Sequence, residues 1–239
     1  MNFFADTPRL ELFRLAGIPI KIDITFILVP IFLFDVLQQS PNTFAILTAG
    51  IFLSVLLHEI GHATLARLFR VPVGEILVGG FYGYARMLRA APSAFASIVI
   101  LFAGPLTNGL IFLLCWYVLG WPEVGWTGRF GPIDPLPAIA GSPWGIYAIF
   151  TLARINLAML VFNLLPAFPL DGGRIYRDML GAIIPRPTAV RAIAILGVVI
   201  GLWSAYVGFR GSIVLLLIGA QIAIMNWAIF KQPAEAEDR

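Results

Sequence analysis

The chain has 239 residues, of which 59% are hydrophobic and only 12% charged. Soluble domains carry about twice that charged fraction, and a mean hydropathy of +0.90 excludes a water-soluble globule. The net charge of +3 does not describe a nucleic-acid surface, because the basic residues are spread over short segments without interleaved aromatics, and neither a nucleic-acid nor a nucleotide partner is expected.

Residues 1–24 read as a β segment. Ile18, Ile20, Ile22 and Ile24 alternate with Pro19, Lys21, Asp23 and Thr25, a period of two. Ala16-Gly17 turns this run back on an earlier strand at about 9–15. Asp6, Arg9, Glu11 and Arg14 interrupt the start too densely for a signal peptide. A first, short membrane span is expected from Thr25 to Gln38, and a second from Thr43 to Phe69. Val71-Pro72 ends the second, since proline disfavours helix at the residue before it. Residues 73–90 are rich in glycine and weakly alternating, as in a hairpin. A third span follows from Ser93 to Leu119, then a loop over 121–143 crowded with Pro and Gly. The fourth span runs from Trp144 to Leu165 and is broken by PAFPLDGG, where prolines and glycines oppose a regular helix. A short helix is predicted at Arg174–Ile183, a fifth span at Pro187–Val207 and a sixth at Ser212–Phe230. A polar tail covers 231–239. The expected fold is an all-α polytopic membrane protein. It has about six transmembrane helices in a single unit over 1–239, with a small β-sheet or hairpin on the cytoplasmic side.

Thirteen of the sixteen Lys and Arg fall on one side of such a bundle. That side is read as cytoplasmic, which places both termini there, in a cell membrane. Arg154 falls within the fourth span, where pairing to a carboxylate or to carbonyls is expected. Cys115, the lone cysteine, is read as a packed small hydrophobe.

Both histidines of the chain lie in SVLLHEIGHATLARLF, within the second span. Scattered at random, they would fall four apart about once in a hundred arrangements, before the intervening glutamate is required. Residues four apart share a helix face, so His58 and His62 can hold one divalent metal, and Glu59 can act on a water there. Charged groups inside a span are costly and point to function. His58 lies nine residues before Arg67, hence about 13 Å inside the boundary. A zinc site of this type needs a third protein ligand. Glu75 and Asp171 are the candidates on the same side, and Asp171 is preferred because it sits at the break after the fourth span.

The motifs HEIGH, AGPLTN and NLLPAFPLDGGR, in this order over about residues 15–230, resemble the signatures of the site-2 protease family of zinc intramembrane proteases. The Gly79-Gly80 stretch also matches in position. The resemblance implies one zinc per chain on His58, His62 and Asp171, with Glu59 as catalytic base. It also implies substrate engagement near Asn163, Pro166 and Pro169, and a G-x-x-x-N pattern at Gly104 and Asn108. Ala167-Phe168 departs from nothing fixed in the family but leaves the substrate contacts undefined. No stretch accommodates an inserted PDZ domain or a CBS pair, as expected of a minimal member. The expected partners are a transmembrane protein substrate and the lipid bilayer. Val73–Leu88 offers an edge strand for an unwound substrate, or a hairpin that only supports the metal helix. Asn108 either faces an oxyanion or orients the site. The competing reading is a catalytically silent metal- or client-binding protein, a transporter or pseudoprotease. A transporter would show repeated halves, and the intact His-Glu-His set argues against a pseudoprotease.

Overall fold

The structure, a computed structural model, describes residues 8–80, 83–120 and 144–232. The expected loop of 121–143 and the tail beyond 232 lie outside them. Four strands form one sheet in the order β1-β2-β3-β4. Strands β1 (Arg9–Leu15) and β2 (Ile18–Asp23) make the anticipated antiparallel hairpin. Its turn uses Ala16 at φ 49° and Gly17 at φ 84°. Strand β2 then runs parallel to β3 (Val73–Val78), which pairs antiparallel with β4 (Gly83–Met87). The alternation in β2 has its expected meaning: Ile18 and Ile20 turn inward with Ile76 and Val78, and pack on Leu56 and Ala63 of the second crossing.

That crossing, α3 (Pro41–Leu68), is the long helix that carries both histidines. Ser40 caps it by accepting the Thr43 N–H at 3.3 Å, and Pro41 stands in the first turn, where a missing N–H is harmless. The sheet lies along α3 from Ala66 and Phe69 to Phe52 and Val55, so strands accompany it deep into the apolar zone.

Five helices among the described residues are long and apolar enough to cross a membrane. They are α3, α4 (Ala94–Val118), α5 (Trp144–Asn163), α7 (Arg186–Phe209) and α8 (Ile213–Phe230). Their outward faces expose Leu110, Leu113, Leu114, Leu202 and Trp203, as lipid contact requires, and the chain is an integral membrane protein. The first expected span differs. Residues 24–39 form a 3-10 turn (Ile24–Ile27) and two short helices, α1 (Leu28–Phe32) and α2 (Phe34–Gln39), broken at Leu33. Even as one helix they would rise only about 24 Å, short of the ~30 Å hydrocarbon core. They need not do more, because the sheet already covers part of that depth. Val29, Leu33 and Val36 pack against Leu47 in the other half of α3.

The short helix after the fourth span also begins earlier than expected. Helix α6 is Asp171–Leu180, so Asp171-Gly172-Gly173 starts a helix and does not lie in an irregular break. A methyl on Gly173 would fall 2.6 Å from the Ala167 carbonyl, and one on Gly172 would meet the Leu164 and Leu165 carbonyls. The glycines let the helix start directly against the chain that leads into it.

Glu75 is buried and held by Lys21 at 2.8 Å, Arg9 at 3.3 Å and the Tyr84 hydroxyl at 3.3 Å. From β3 it ties β1, β2 and β4 together. Burial acts to raise its carboxyl pKa, but the Lys21 ammonium and Arg9 guanidinium outweigh this and hold it below the ordinary value. A depressed folded value contributes stability above the ordinary carboxylate range, and that contribution is lost as pH falls through the folded value. Glu75→Gln is therefore expected to lower the melting temperature in detergent at pH 7 by about 2–4 °C. The difference from the parent should close in acid; one that persists unchanged at pH 3 would refute the linkage.

Candidate metal centre

His58 and His62 stand one turn apart on the buried face of α3. Helix α4 can reach them because two positions lack a side chain. A methyl on Gly61 would fall 2.8 Å from the Ala103 carbonyl, and one on Gly104 would fall 2.6 Å from His58 Nε2. Asp171, the first residue of α6, completes the group. His58 Nε2 lies 3.1 Å from Asp171 Oδ2, His62 Nε2 lies 3.3 Å from the same oxygen, and the two Nε2 atoms are 3.1 Å apart. Among the described residues this is the group whose ligand atoms converge well enough to hold a metal.

The far side of each imidazole shows where the protons are. His62 Nδ1 meets the Ile100 carbonyl at 2.7 Å. A carbonyl only accepts, so Nδ1 donates, and in the neutral imidazole Nε2 then carries the lone pair. For His58 the assignment runs through two amides. Asn156 Nδ2 donates to the Leu152 carbonyl at 2.9 Å and to Ser54 Oγ at 2.9 Å. Its Oδ1 therefore accepts from Asn108 Nδ2 at 2.7 Å. Asn108 Oδ1 is left to accept from His58 Nδ1 at 2.5 Å. A second Nε2 lone pair thus points at the first.

With both imidazoles neutral, two imine nitrogens and a carboxylate oxygen face one another. Such an arrangement is repulsive unless a cation sits within it. Tetrahedral coordination at about 2.0–2.1 Å sets ligand atoms about 3.3 Å apart, close to the three separations found. The donor set fits a divalent metal, and the hydrogen bonds on both Nδ1 atoms are those that orient metal-bound histidines.

The remaining expected residues fall into place unevenly. Glu59 is buried beside the metal ligands and against β4. A methyl on Gly83 would lie 2.8 Å from Glu59 Oε1, and the Ala85 backbone hydrogen-bonds the carboxyl. Asn108 accepts from His58 with its oxygen and donates with its nitrogen to Asn156 and, at 3.9 Å, to Met159 Sδ. Glu75 is committed to the sheet and is not a ligand. Asn163 ends α5 and is half-buried, like Pro166, while Pro169 is exposed. Gly80 packs away from the histidines and donates its N–H to Thr25 Oγ1 at 3.2 Å; Gly79 is buried beside it. Arg154 places its guanidinium 5.8 Å from the Phe150 ring centre.

Two residues escaped the sequence reading. Asn156 is one, and Asn226 on α8 is the other. Asn226 Oδ1 accepts the Phe168 N–H at 3.1 Å, while its Nδ2 donates to the Phe168 carbonyl at 2.6 Å and to Ile222 O at 2.8 Å. It grips the segment leading to Asp171 by both backbone groups. Each is an amide in an apolar span, a cost that calls for a partner. That signal was visible, although the partner was not.

Fold and site together give a polytopic membrane protein in which two histidines of one helix and a carboxylate from a later helix could hold a metal. The model of peptidase family M50 matches residues 46–132 and 142–205. The zinc metalloprotease MJ0392 of Methanocaldococcus jannaschii is 35% identical over 172 residues, covering 72% of this chain and 45% of that protein. The putative zinc metalloprotease Rip3 of Mycobacterium tuberculosis is 30% identical over 195 residues, covering 78% and 44%. The solved site-2 protease from Methanocaldococcus jannaschii aligns at a TM-score of 0.67 with 28% identity, over 95% of this chain and 97% of that one. The chain belongs to peptidase family M50, the site-2 proteases. It spans about half the length of the curated relatives it matches.

Removal of Asp171 by alanine is expected to abolish retention of a divalent metal through purification, read by atomic spectroscopy. Asn156→Ala frees the Asn108 amide to turn and should weaken metal affinity about 10–100-fold against a competing chelator. Asn108→Asp, which keeps the acceptor for His58, should retain more metal than Asn108→Leu. Unchanged affinity in Asn156→Ala would remove the argument from the tautomer.

Proposed function

We propose that this chain is a zinc-dependent intramembrane endopeptidase that hydrolyses peptide bonds in or near the transmembrane segments of other membrane proteins. The observation that carries the reading is the position of Glu59, beside the converging ligand atoms of His58, His62 and Asp171 and against the edge of a sheet. In this reading His58, His62 and Asp171 hold one zinc per chain. The ion, when bound, supplies Lewis acidity toward a peptide carbonyl and toward water. The zinc metalloprotease names of the relatives support the choice of metal.

Glu59 is the general base. Its carboxylate takes the proton of the attacking water and hands it to the departing amine. Asn108 and Asn156 keep His58 in the tautomer that presents Nε2, and Asn226 holds the segment that delivers Asp171. A transmembrane helix shields its own peptide bonds, so the substrate is cut in an extended form. Edge strand β4 offers backbone pairing to such a chain with little demand on side chains. Asn163, Pro166 and Pro169 lie on the approach to Asp171 and contact the substrate there. Gly79 and Gly80 shape the far end of β3 and act on the site through the sheet. The sheet side of the membrane is the cytoplasmic side of a cell membrane, with both termini on it; the asymmetry of Lys and Arg supports this.

Glu59→Gln is expected to keep its metal and its fold while losing about 10²–10⁴-fold in cleavage rate of a reconstituted transmembrane substrate. Turnover near that of the parent would end the general-base role. An affinity tag at residue 1 should resist an impermeant label in intact cells, and its labelling would reverse the orientation.

A further inference from the structure

A groove of about 630 Å³ lies between β4, α4 and α6. Two of its lining residues also contact residues of the candidate site. Ala85 lines it and hydrogen-bonds Glu59, and Ile100 lines it and accepts a hydrogen bond from His62 Nδ1. Met87 and Leu101 give it apolar walls, and Arg89, Arg174 and Arg177 stand around it. Arg177 is neutralised by Asp178 at 2.6 Å, which also accepts the Ser97 hydroxyl at 2.6 Å. Arg89 and Arg174 are exposed and make no ion pair among the described residues.

We propose that this groove takes the part of an extended substrate that leaves the site toward the sheet side of the membrane, and that Arg89 and Arg174 select acidic residues in it. The occupant is a polypeptide because Ala85 and Met87, two alternate residues of a sheet edge, line one wall, and such an edge pairs with an extended chain. A strand rising about 3.3 Å per residue covers the distance along Ala85–Arg89 in about 13 Å, so the selected position lies about four residues from the bond cut. The sign of the charge carries a second consequence. Ordinary transmembrane segments are flanked by Lys and Arg on their inner side. Two unpaired arginines repel that flank within a Debye length of about 8 Å. The groove therefore turns away most helices of the membrane and admits those whose inner flank is acidic.

The inference rests on the protease reading, and the test separates the two. Two fluorescent peptides share one transmembrane segment and differ in a Glu pair or a Lys pair on the inner flank, about four residues from the core. Their binding to the Glu59→Gln full chain is measured in zwitterionic micelles, and their cleavage by the parent in parallel. The acidic peptide should bind about tenfold more tightly at low salt, and the gap should close to about twofold at high salt. Arg89→Glu should shrink the preference, and Arg89→Glu with Arg174→Glu should invert it while metal content stays constant. Equal binding and equal cleavage of the two peptides would overturn the selection and leave the protease reading standing. Discriminating binding without any cleavage would do the reverse. Arginine variants that alter only the response to anionic-lipid vesicles, with no change between peptides, would assign the arginines to lipid and overturn the proposal.

Discussion

Three lone pairs that must face one another inside a bilayer set the terms for the rest of this molecule. Helix α3 can supply two of them on its own, since four residues make one turn. It cannot hold them there unaided, because each imidazole needs its other nitrogen paired away from water. Helix α4 meets that need with a carbonyl at Ile100 and an amide at Asn108, and it reaches the imidazoles only through Gly61 and Gly104. Helix α5 then serves α4, since Asn156 decides which end of Asn108 faces His58. Helix α6 brings Asp171 against the two imidazoles, and α8 holds the segment before it. The bundle is organised as a chain of dependence in which each helix satisfies the polar group of the one before.

The sheet is the second unusual element. Open edges are excluded from lipid because their N–H and C=O groups have no partners there. An edge is tolerated at depth only beside a cavity that water or another chain can occupy. Strands β1 and β4 are the two outer edges of the sheet, and Glu75 of β3 binds β1, β2 and β4 through a single carboxylate. The edge that touches Glu59 is β4. The same sheet explains why residues 24–39 are not a full transmembrane helix: the strands have already covered part of the depth.

What the sequence disclosed followed the range of the interactions. His58, Glu59 and His62 could be recognised because their relation is local, within one turn of one helix. The hairpins at 9–23 and 73–87 were legible for the same reason, in alternation and turn residues. Asp171 was one of two carboxylates on the right side, and only the structure shows Glu75 paired with Lys21 and Arg9 while Asp171 lies against the histidines. The Gly172-Gly173 pair was misread as a helix breaker, since propensity describes a free helix and these glycines answer to carbonyls packed against them. Asn156 and Asn226 were invisible as actors. Their partners lie 48 and 58 residues away in sequence, and a lone amide in an apolar run announces a need without naming what meets it.

The bond between Asn226 and the Phe168 backbone joins two events that seem separate. The hairpin of α7 and α8 comes last in the described chain and contributes no ligand. Yet it reaches the core chiefly through α6 and through that amide, next to the residue that turns into Asp171. Docking of the hairpin and affinity for the metal are therefore two sides of one equilibrium. By linkage, each strengthens the other to the same degree. A force or a lipid that draws the hairpin outward loosens the metal, and a bound metal resists the withdrawal of a helix that never touches it.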